Sequence, residues 1–594
     1  MSNNYRRGLH QGVFHCVKNS IHTEGKYTFK INYVAQNELQ HGTIFDEERL
    51  KKRLLKEIIK KNNARADRYP KAEVTKLSDS TPLRLSTFYS DDDGTSSYAG
   101  KYSLFPLEFI CRKCGKVYEV KISKDLKDIP SKCECGGVLE QNTIALYCDE
   151  CGAISSMGLY CSNNGHGSKY AHLDRKTKDD IITWKAYCSK CKQDGLRNEI
   201  DFLRYKCPKC KNGKRHPLPV RDGGLYTPVT MTFIDLQHKP TGDLSDYIRI
   251  AVDSKLITLE GIESRLPESK RGKVTDTLDL IDSVKRLGAD PLGADEYRAA
   301  NEYITGAVNR VQNEYRGVEL DNLNDVRYVK ENAKTFDDYL DSLPEDESKP
   351  LKEWYESAKD KYGIYEICYS ENLKVIMASI GQIIGINKFY EEGFVPHFEP
   401  FKETRDSKEI YAMVVPLTTE GILFRLDPIK VCKWLYANGL TNTLTDTLPE
   451  ARYHLTHLVT DSKEYNALKT LIHTFSHILI KQSSIFTGLD ENSCAELLFP
   501  LDASFMIYST SNVNIGGFEY AFNYSFPNWF SRIEEAAEDC IFDPSCMKEG
   551  GRCFSCLHVA EFVCCNFNKD LSRQTLIGKQ DVNEGYLYEQ GFWK

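Results

Sequence analysis

Cysteine dominates the chemistry open to this chain. It has 21 cysteines, most of them in short pairs. Near the C-terminus Cys540, Cys546, Cys553 and Cys556 follow one another at five-, six- and two-residue gaps, with Cys564 and Cys565 close behind. Thiolates so spaced on a Gly-containing loop can converge on one tetrahedral zinc. Five or six thiols stand for four positions, so one of Cys540 to Cys564 belongs behind the ligands rather than among them.

Upstream, Cys111-x2-Cys114 and Cys133-x-Cys135 form two knuckles with Tyr118, Val120 and Ile122 alternating between them. That is the layout of a zinc ribbon, in which two short hairpins each supply two thiolates. Cys188-x2-Cys191 and Cys207-x2-Cys210 repeat it, with Phe202, Leu203 and Tyr205 between the knuckles. Between the two ribbons lies Cys148-x2-Cys151 with Cys161, His166 and His172. A site of three cysteines and one histidine, using His166, suits that set, and interleaving with the neighbouring knuckles fits as well. The expectation is about four structural Zn2+ sites.

Catalytic signals are sparse by comparison. His473 and His477 are spaced i and i+4 on a helical stretch and share one face, as metal-binding histidines do. A zinc protease needs Glu after the first His, and here that position is Thr474. The apolar neighbours Leu471, Ile472, Phe475, Ile478, Leu479 and Ile480 mark a buried helix whose histidines satisfy core hydrogen bonds. A metal-dependent hydrolase or nuclease would have to use His473 and His477 with an acid such as Glu496, and that is the rival reading. No P-loop and no Gly-x-Ser-x-Gly elbow occur. Gly516-Gly517 suits a tight strand-to-helix turn. A chain without catalytic residues of its own is therefore expected.

The elements that must position these residues belong to an ordinary globular chain. Its 594 residues exceed one core, and 41% hydrophobic with 27% charged residues excludes a disordered polymer. No apolar run approaches the roughly 18 residues of a membrane span, and the opening residues lack the apolar stretch of a secretory signal. A cytoplasmic protein with reduced thiols is expected. Net charge is −7, yet Lys185 to Arg221 carries eleven Lys/Arg against three acids, a local face that can meet phosphates or simply keep small zinc modules soluble. Asp91–Asp93 and the stretch from Pro344 are acidic loops.

Four segments follow. Residues 1–105 read as a mixed α/β domain with one basic amphipathic helix, Glu48 to Arg65, whose Leu50, Leu54, Leu55, Ile58 and Ile59 face a core or a partner. Residues 106–220 are the zinc-ribbon region. Residues 221–360 hold a strand entry over Leu225–Leu236 and a helical insertion, with helices near Asp276–Leu287 and Ala294–Arg316. Residues 361–594 return to α/β, with strands at Ala412–Leu417, Gly421–Leu426 and Phe505–Ser509 and an apolar helix from about Tyr465 to Gln482. The class is α+β multidomain: a zinc-ribbon cluster, a helical insertion and a C-terminal α/β domain with a four-cysteine zinc site.

The C-terminal run Cys553-x2-Cys556-Leu557, Glu561, Cys564, Asn568 and Leu571-x-Arg573 resembles the DrmB subunit of DISARM antiphage systems. Leu471-Ile-His473-Thr-Phe-Ser-His477 and Met506 through Gly516-Gly517-Phe518 are similar to its helical and strand–turn elements, so the likeness covers roughly residues 465–575. The same pattern is shared with the zinc-binding domain (domain of unknown function 1998) of MrfA-type DNA-repair helicases. Cys161-Ser-Asn-Asn-Gly-His166 resembles a shorter DrmB element, and Arg221-Asp-Gly-Gly-Leu its approach to a strand. The resemblance implies a zinc scaffold bound to a DrmA-like superfamily-2 helicase encoded nearby, handling invading DNA in antiviral defence, with ATP hydrolysis left to the partner and no membrane involved.

Overall fold

The computed structural model describes residues 3–8, 18–40, 42–44, 46–88, 97–120, 129, 131–163, 165–175, 183–202, 206–220, 225–236, 245–253, 255–274, 276–288, 294–314, 321–384, 395–404, 407–510, 515–560, 563–564, 566, 568–578 and 588–594. Ile122, Leu203, Tyr205, Glu561, Cys565 and the stretches Asp91–Asp93 and Arg221–Gly224 lie outside them. The fold is mixed α+β. Two compact units share the chain, residues 1–233 with 376–416 and residues 234–375 with 417–594. The segments 1–105 and 106–220 both fall in the first unit, while 221–360 and 361–594 each contribute to both.

In the first unit an antiparallel sheet runs in the order Asn3–Gly8, Ser97–Leu104, Tyr27–Val34, Ile21–Glu24. Three small antiparallel sheets follow, and each delivers a cysteine to a strand end. Glu108–Cys111 pairs with Val117–Glu119 and Leu139–Gln141. Ile144–Cys148 pairs with Ile154–Ser155 and with Arg215–Pro219. Lys185–Cys188 pairs with Ala171–Asp174 and Glu199–Ile200. The basic amphipathic helix spans Glu47–Arg68, capped by Asp46, which accepts from the Arg49 amide at 3.1 Å. Its buried residues Leu50, Leu54, Ile58, Asn62 and Arg65 follow a nearly four-residue period, whereas Lys52, Lys56 and Lys60 are exposed. Arg65 donates to the Phe398 and Cys151 carbonyls at 2.7 and 3.2 Å, so the helix packs on the core of its own unit.

In the second unit the insertion is helical: Ser245–Asp253, Leu259–Glu263, Thr277–Gly288 and Ala294–Glu314 close around Ile248, Ile281, Val284, Ile304 and Val311. The larger core of this unit surrounds the helix Lys463–Thr487, buried on every side from Leu471 to Ile480. That burial explains its continuous apolar sequence. Ser462 accepts from the Tyr465 amide at 3.1 Å to start the helix, and Gly488, with φ of 69°, ends it. Cys494–Phe499 and Ser504–Ser509 form a hairpin against it.

One expectation changes. The strands read as Ala412–Leu417 and Gly421–Leu426 are one strand, Ile410–Leu426. The polar break that suggested two strands contains Glu420, fully buried and held by the Gly517 and Glu519 amides at 2.9 and 3.2 Å. Those amides open the helix Gly517–Tyr524, so a helix N-terminus neutralises a charge inside the strand. Gly516, with φ of 68°, makes the turn into it. Among the described residues no helix is long and apolar enough to cross a membrane.

Arg425 is the main buried cation of the second unit's sheet. It holds Asp502 through two bonds of 2.7 and 2.8 Å and Glu366 through one of 2.9 Å. Removing one partner of such a pair leaves uncompensated buried charge. Arg425→Ala is expected to cost about 3 kcal/mol, read as a lower urea midpoint by circular dichroism. An unchanged midpoint would show the triad to be energetically neutral.

Candidate metal centres

Cys111 ends a strand, and the chain turns back through Gly115, whose amide donates to the Cys111 carbonyl at 2.9 Å. The turn aims the Lys113 and Cys114 amides at Cys111 Sγ, at 3.4 and 3.5 Å, a knuckle that stabilises thiolate. Cys135 comes to 3.5 Å from Cys111, and Cys133 to 3.6 Å from Cys114. Gly137 is obligatory because a Cβ there would lie 2.6 Å from Cys111 Sγ. The first ribbon quartet is thus brought together as its spacing suggests.

The next two quartets are interleaved. Cys148 meets Cys210 and Cys151 meets Cys207, each at 3.7 Å. Cys161 lies 3.6 Å from Cys191, and His166 Nδ1 lies 3.3 Å from Cys191 and 3.5 Å from Cys188. Cys188/Cys191 therefore do not form a ribbon with Cys207/Cys210, and Cys148/Cys151 do not share a site with Cys161 and His166. Pairing of Ile144–Cys148 with Arg215–Pro219 is the cause, because it carries the Cys207 knuckle to the Cys148 knuckle. His172 stays out: its Nδ1 faces the Cys114 carbonyl at 3.1 Å, and its ring stacks on Tyr187.

The C-terminal quartet is Cys540, Cys546, Cys553 and Cys556. Its sulfur separations are 3.4 Å for Cys540–Cys553, 3.7 Å for Cys546–Cys556 and 3.6 Å for Cys553–Cys556. Arg573, fully buried, grips both Asp543 oxygens at 2.8 Å and donates to the Ala537 carbonyl at 2.8 Å, with its guanidinium 3.7 Å from Cys546 Sγ. Asn568 closes the following loop by bonding the Val559 amide and carbonyl at 3.0 and 2.9 Å. Two residues of the DrmB-like pattern are thereby explained as clamps on the cysteine loop. Cys564 is the thiol left over. It sits 3.2 Å from His473 Nε2, in a separate group with His477 and Glu496.

Sulfur separations of 3.4–3.7 Å are far longer than a disulfide of about 2.05 Å. They approach the tetrahedral edge of about 3.8 Å that Zn–S bonds of about 2.3 Å would produce. Each quartet also has one thiol drawn toward thiolate. Cys148 and its neighbours pull Cys151 down to about 5. Against the burial that would raise them, bonds from Tyr118 and the backbone lower Cys133 to about 6, and bonds from the backbone and neighbouring thiols lower Cys553 to about 7. A bond from Asn163 lowers Cys191. All four quartets can hold metal ions, and their donor sets fit zinc.

Residues 14–224, which contain the first three quartets, match the family described as "Domain of unknown function (DUF8724)". The chain is also 26% identical over 196 residues to "DISARM protein DrmB" of Bacillus paralicheniformis, an alignment taking in 29% of this chain and 34% of that one. The chain thus spans about a third of that relative's length.

The interleaving has a direct test by elemental analysis of the purified chain. A Cys151→Ser/Cys207→Ser double variant is expected to lose one zinc equivalent, and a Cys191→Ser/Cys207→Ser variant two. The reverse order would restore the consecutive-ribbon arrangement.

Proposed function

We propose that this chain is a DrmB-like accessory subunit of a DISARM-type antiphage system, a zinc-stiffened scaffold without catalysis of its own that works beside a superfamily-2 helicase on invading DNA in the cytosol. The similarity to a DISARM protein in a chain carrying four sulfur-rich metal quartets is the observation that carries this reading. No disulfide joins the described cysteines, which suits a reducing compartment. Zinc in the quartets would fix the short turns that carry the cysteines, and the helicase would supply ATP hydrolysis.

A nucleic-acid role is supported by the basic stretch around the second and third quartets. Lys206, Lys209, Lys211 and Lys214 are exposed beside Cys207 and Cys210, and Lys185, Lys192 and Arg197 beside Cys188 and Cys191. Arg215 is turned inward and donates to the Phe202 carbonyl at 2.8 Å. Knuckle backbones held rigid by metal would present these lysines at fixed spacing to phosphates.

Expressed with its neighbouring genes, the chain is expected to co-purify with a helicase, and alone to hydrolyse no ATP and cut no DNA. Nucleotide turnover or strand scission by the isolated chain would overturn the scaffold reading. Replacing Lys206, Lys209, Lys211 and Lys214 by Glu is expected to weaken DNA binding at unchanged zinc content. The log–log salt slope should flatten by about 0.9 for each phosphate that is no longer neutralised. An unaltered slope would assign those lysines to solubility.

A further inference from the structure

Behind the C-terminal quartet, His473, His477, Glu496 and Cys564 form a group with no exposure to solvent, apart from a trace at Cys564 and Glu496. The four ligand-type atoms all lie within 4.8 Å of one another. Three segments contribute: the helix Lys463–Thr487, the strand Cys494–Phe499, and the loop after Cys556. His473 Nε2 and His477 Nε2 approach Glu496 Oε1 at 3.1 and 3.3 Å, and His473 Nε2 approaches Cys564 Sγ at 3.2 Å.

The far side of each ring decides what its near side can do. His473 Nδ1 faces the Asp570 carbonyl at 3.1 Å, and His477 Nδ1 faces the Leu557 carbonyl at 2.8 Å. Carbonyl oxygens only accept, so both Nδ1 atoms carry the hydrogen. In a neutral imidazole both Nε2 atoms are then lone pairs, directed at an acceptor carboxylate. Without a cation that contact is repulsive unless a ring or Glu496 itself takes up a proton in a dry core. The outer bonds are those of metal-bound histidines, whose second nitrogen is held by a carbonyl.

The other two donors are prepared in the same way. Cys564 Sγ accepts from the Asn566 and Asn568 amides at 3.3 and 3.2 Å, as Cys111 Sγ accepts two amides in the first quartet. Glu496 Oε2 accepts from Ser476, which leaves Oε1 to the centre. A divalent ion with one carboxylate, one thiolate and two neutral imidazoles is charge-neutral, so the unit suits complete burial.

We propose that His473, His477, Glu496 and Cys564 form a fifth zinc site, closed and structural, pinning the central helix to its hairpin and to the loop after Cys556. A set of four protein ligands leaves no position for water, in contrast to the open coordination of a hydrolase. The site gives His473 and His477 a role other than catalysis. It stands independently of the DISARM reading, since its test involves neither a partner nor DNA.

The test is zinc stoichiometry of the full chain by mass spectrometry against amino-acid analysis. Wild type is expected to hold five equivalents, and Cys564→Ser and His477→Ala four each, with the sulfur quartets still filled. Four equivalents in wild type would overturn the proposal, as would variants that keep the wild-type count. Should both variants be insoluble, cobalt reconstitution of wild type decides. A fifth cobalt in a site with one thiolate adds weak sulfur charge transfer per metal compared with the quartets, whereas saturation at four refutes it.

Discussion

Nonbonded thiol sulfurs held 3.4–3.7 Å apart are the constraint on which the cysteine-rich regions depend. Thiolates repel one another, and a cation at their centre turns that repulsion into cohesion. The strands bearing them in the first unit are short, and the apolar cluster around Ile110, Leu146, Leu173 and Trp184 packs directly on the third quartet. The three-stranded sheets of the first unit have strands of two to five residues, and positive-φ residues such as Gly115, Gly152 and Lys211 turn the chain behind Cys114, Cys151 and Cys210. A metal ion bound there would couple its binding energy to folding. The helix Glu47–Arg68 shows how the remainder of that unit is tied in. Its Arg65 reaches the Cys151 carbonyl inside a knuckle, so an ordinary helix backs a metal loop.

In the second unit the same problem is solved differently. The C-terminal quartet sits on a large apolar core, and a buried guanidinium lies beside its sulfurs. Arg573 binds Asp543 bidentately and draws close to Cys546, setting positive charge next to a cluster that carries two net negative charges when zinc is bound. Burial alone would lower that guanidinium's affinity for its proton, but Asp543 and the thiols hold it firmly cationic. Glu420 follows the mirror-image rule, a buried carboxylate satisfied by the first amides of a helix. Burial lowers His473 toward its neutral, lone-pair form.

Local readings fared well where one segment decides the outcome. The helix around His473, the basic helix after Asp46, the strand–turn at Gly516 and the Cys111/Cys133 knuckles follow from period, cap and turn residues. The strands Ala412–Leu417 and Gly421–Leu426 read as two, but they are one, because Glu420 between them is buried against an amide pair from elsewhere in the chain. The knuckle partners misled because neighbouring Cys-x2-Cys pairs are interchangeable as local patterns. His473 and His477 were read as hydrogen-bonded core residues, and the Leu557 and Asp570 carbonyls do bind their outer nitrogens.

The sequence by itself determined which residues have ligand chemistry and where the apolar and basic helices lie. Those properties depend on residue type and on spacing along a few turns of chain. Only the tertiary structure decided that Cys148 joins Cys210, that Cys161 joins Cys191, and that Cys564 leaves the last quartet for His473. Such choices are made by strand pairing and packing between segments tens of residues apart, and short-range spacing carries no information about them.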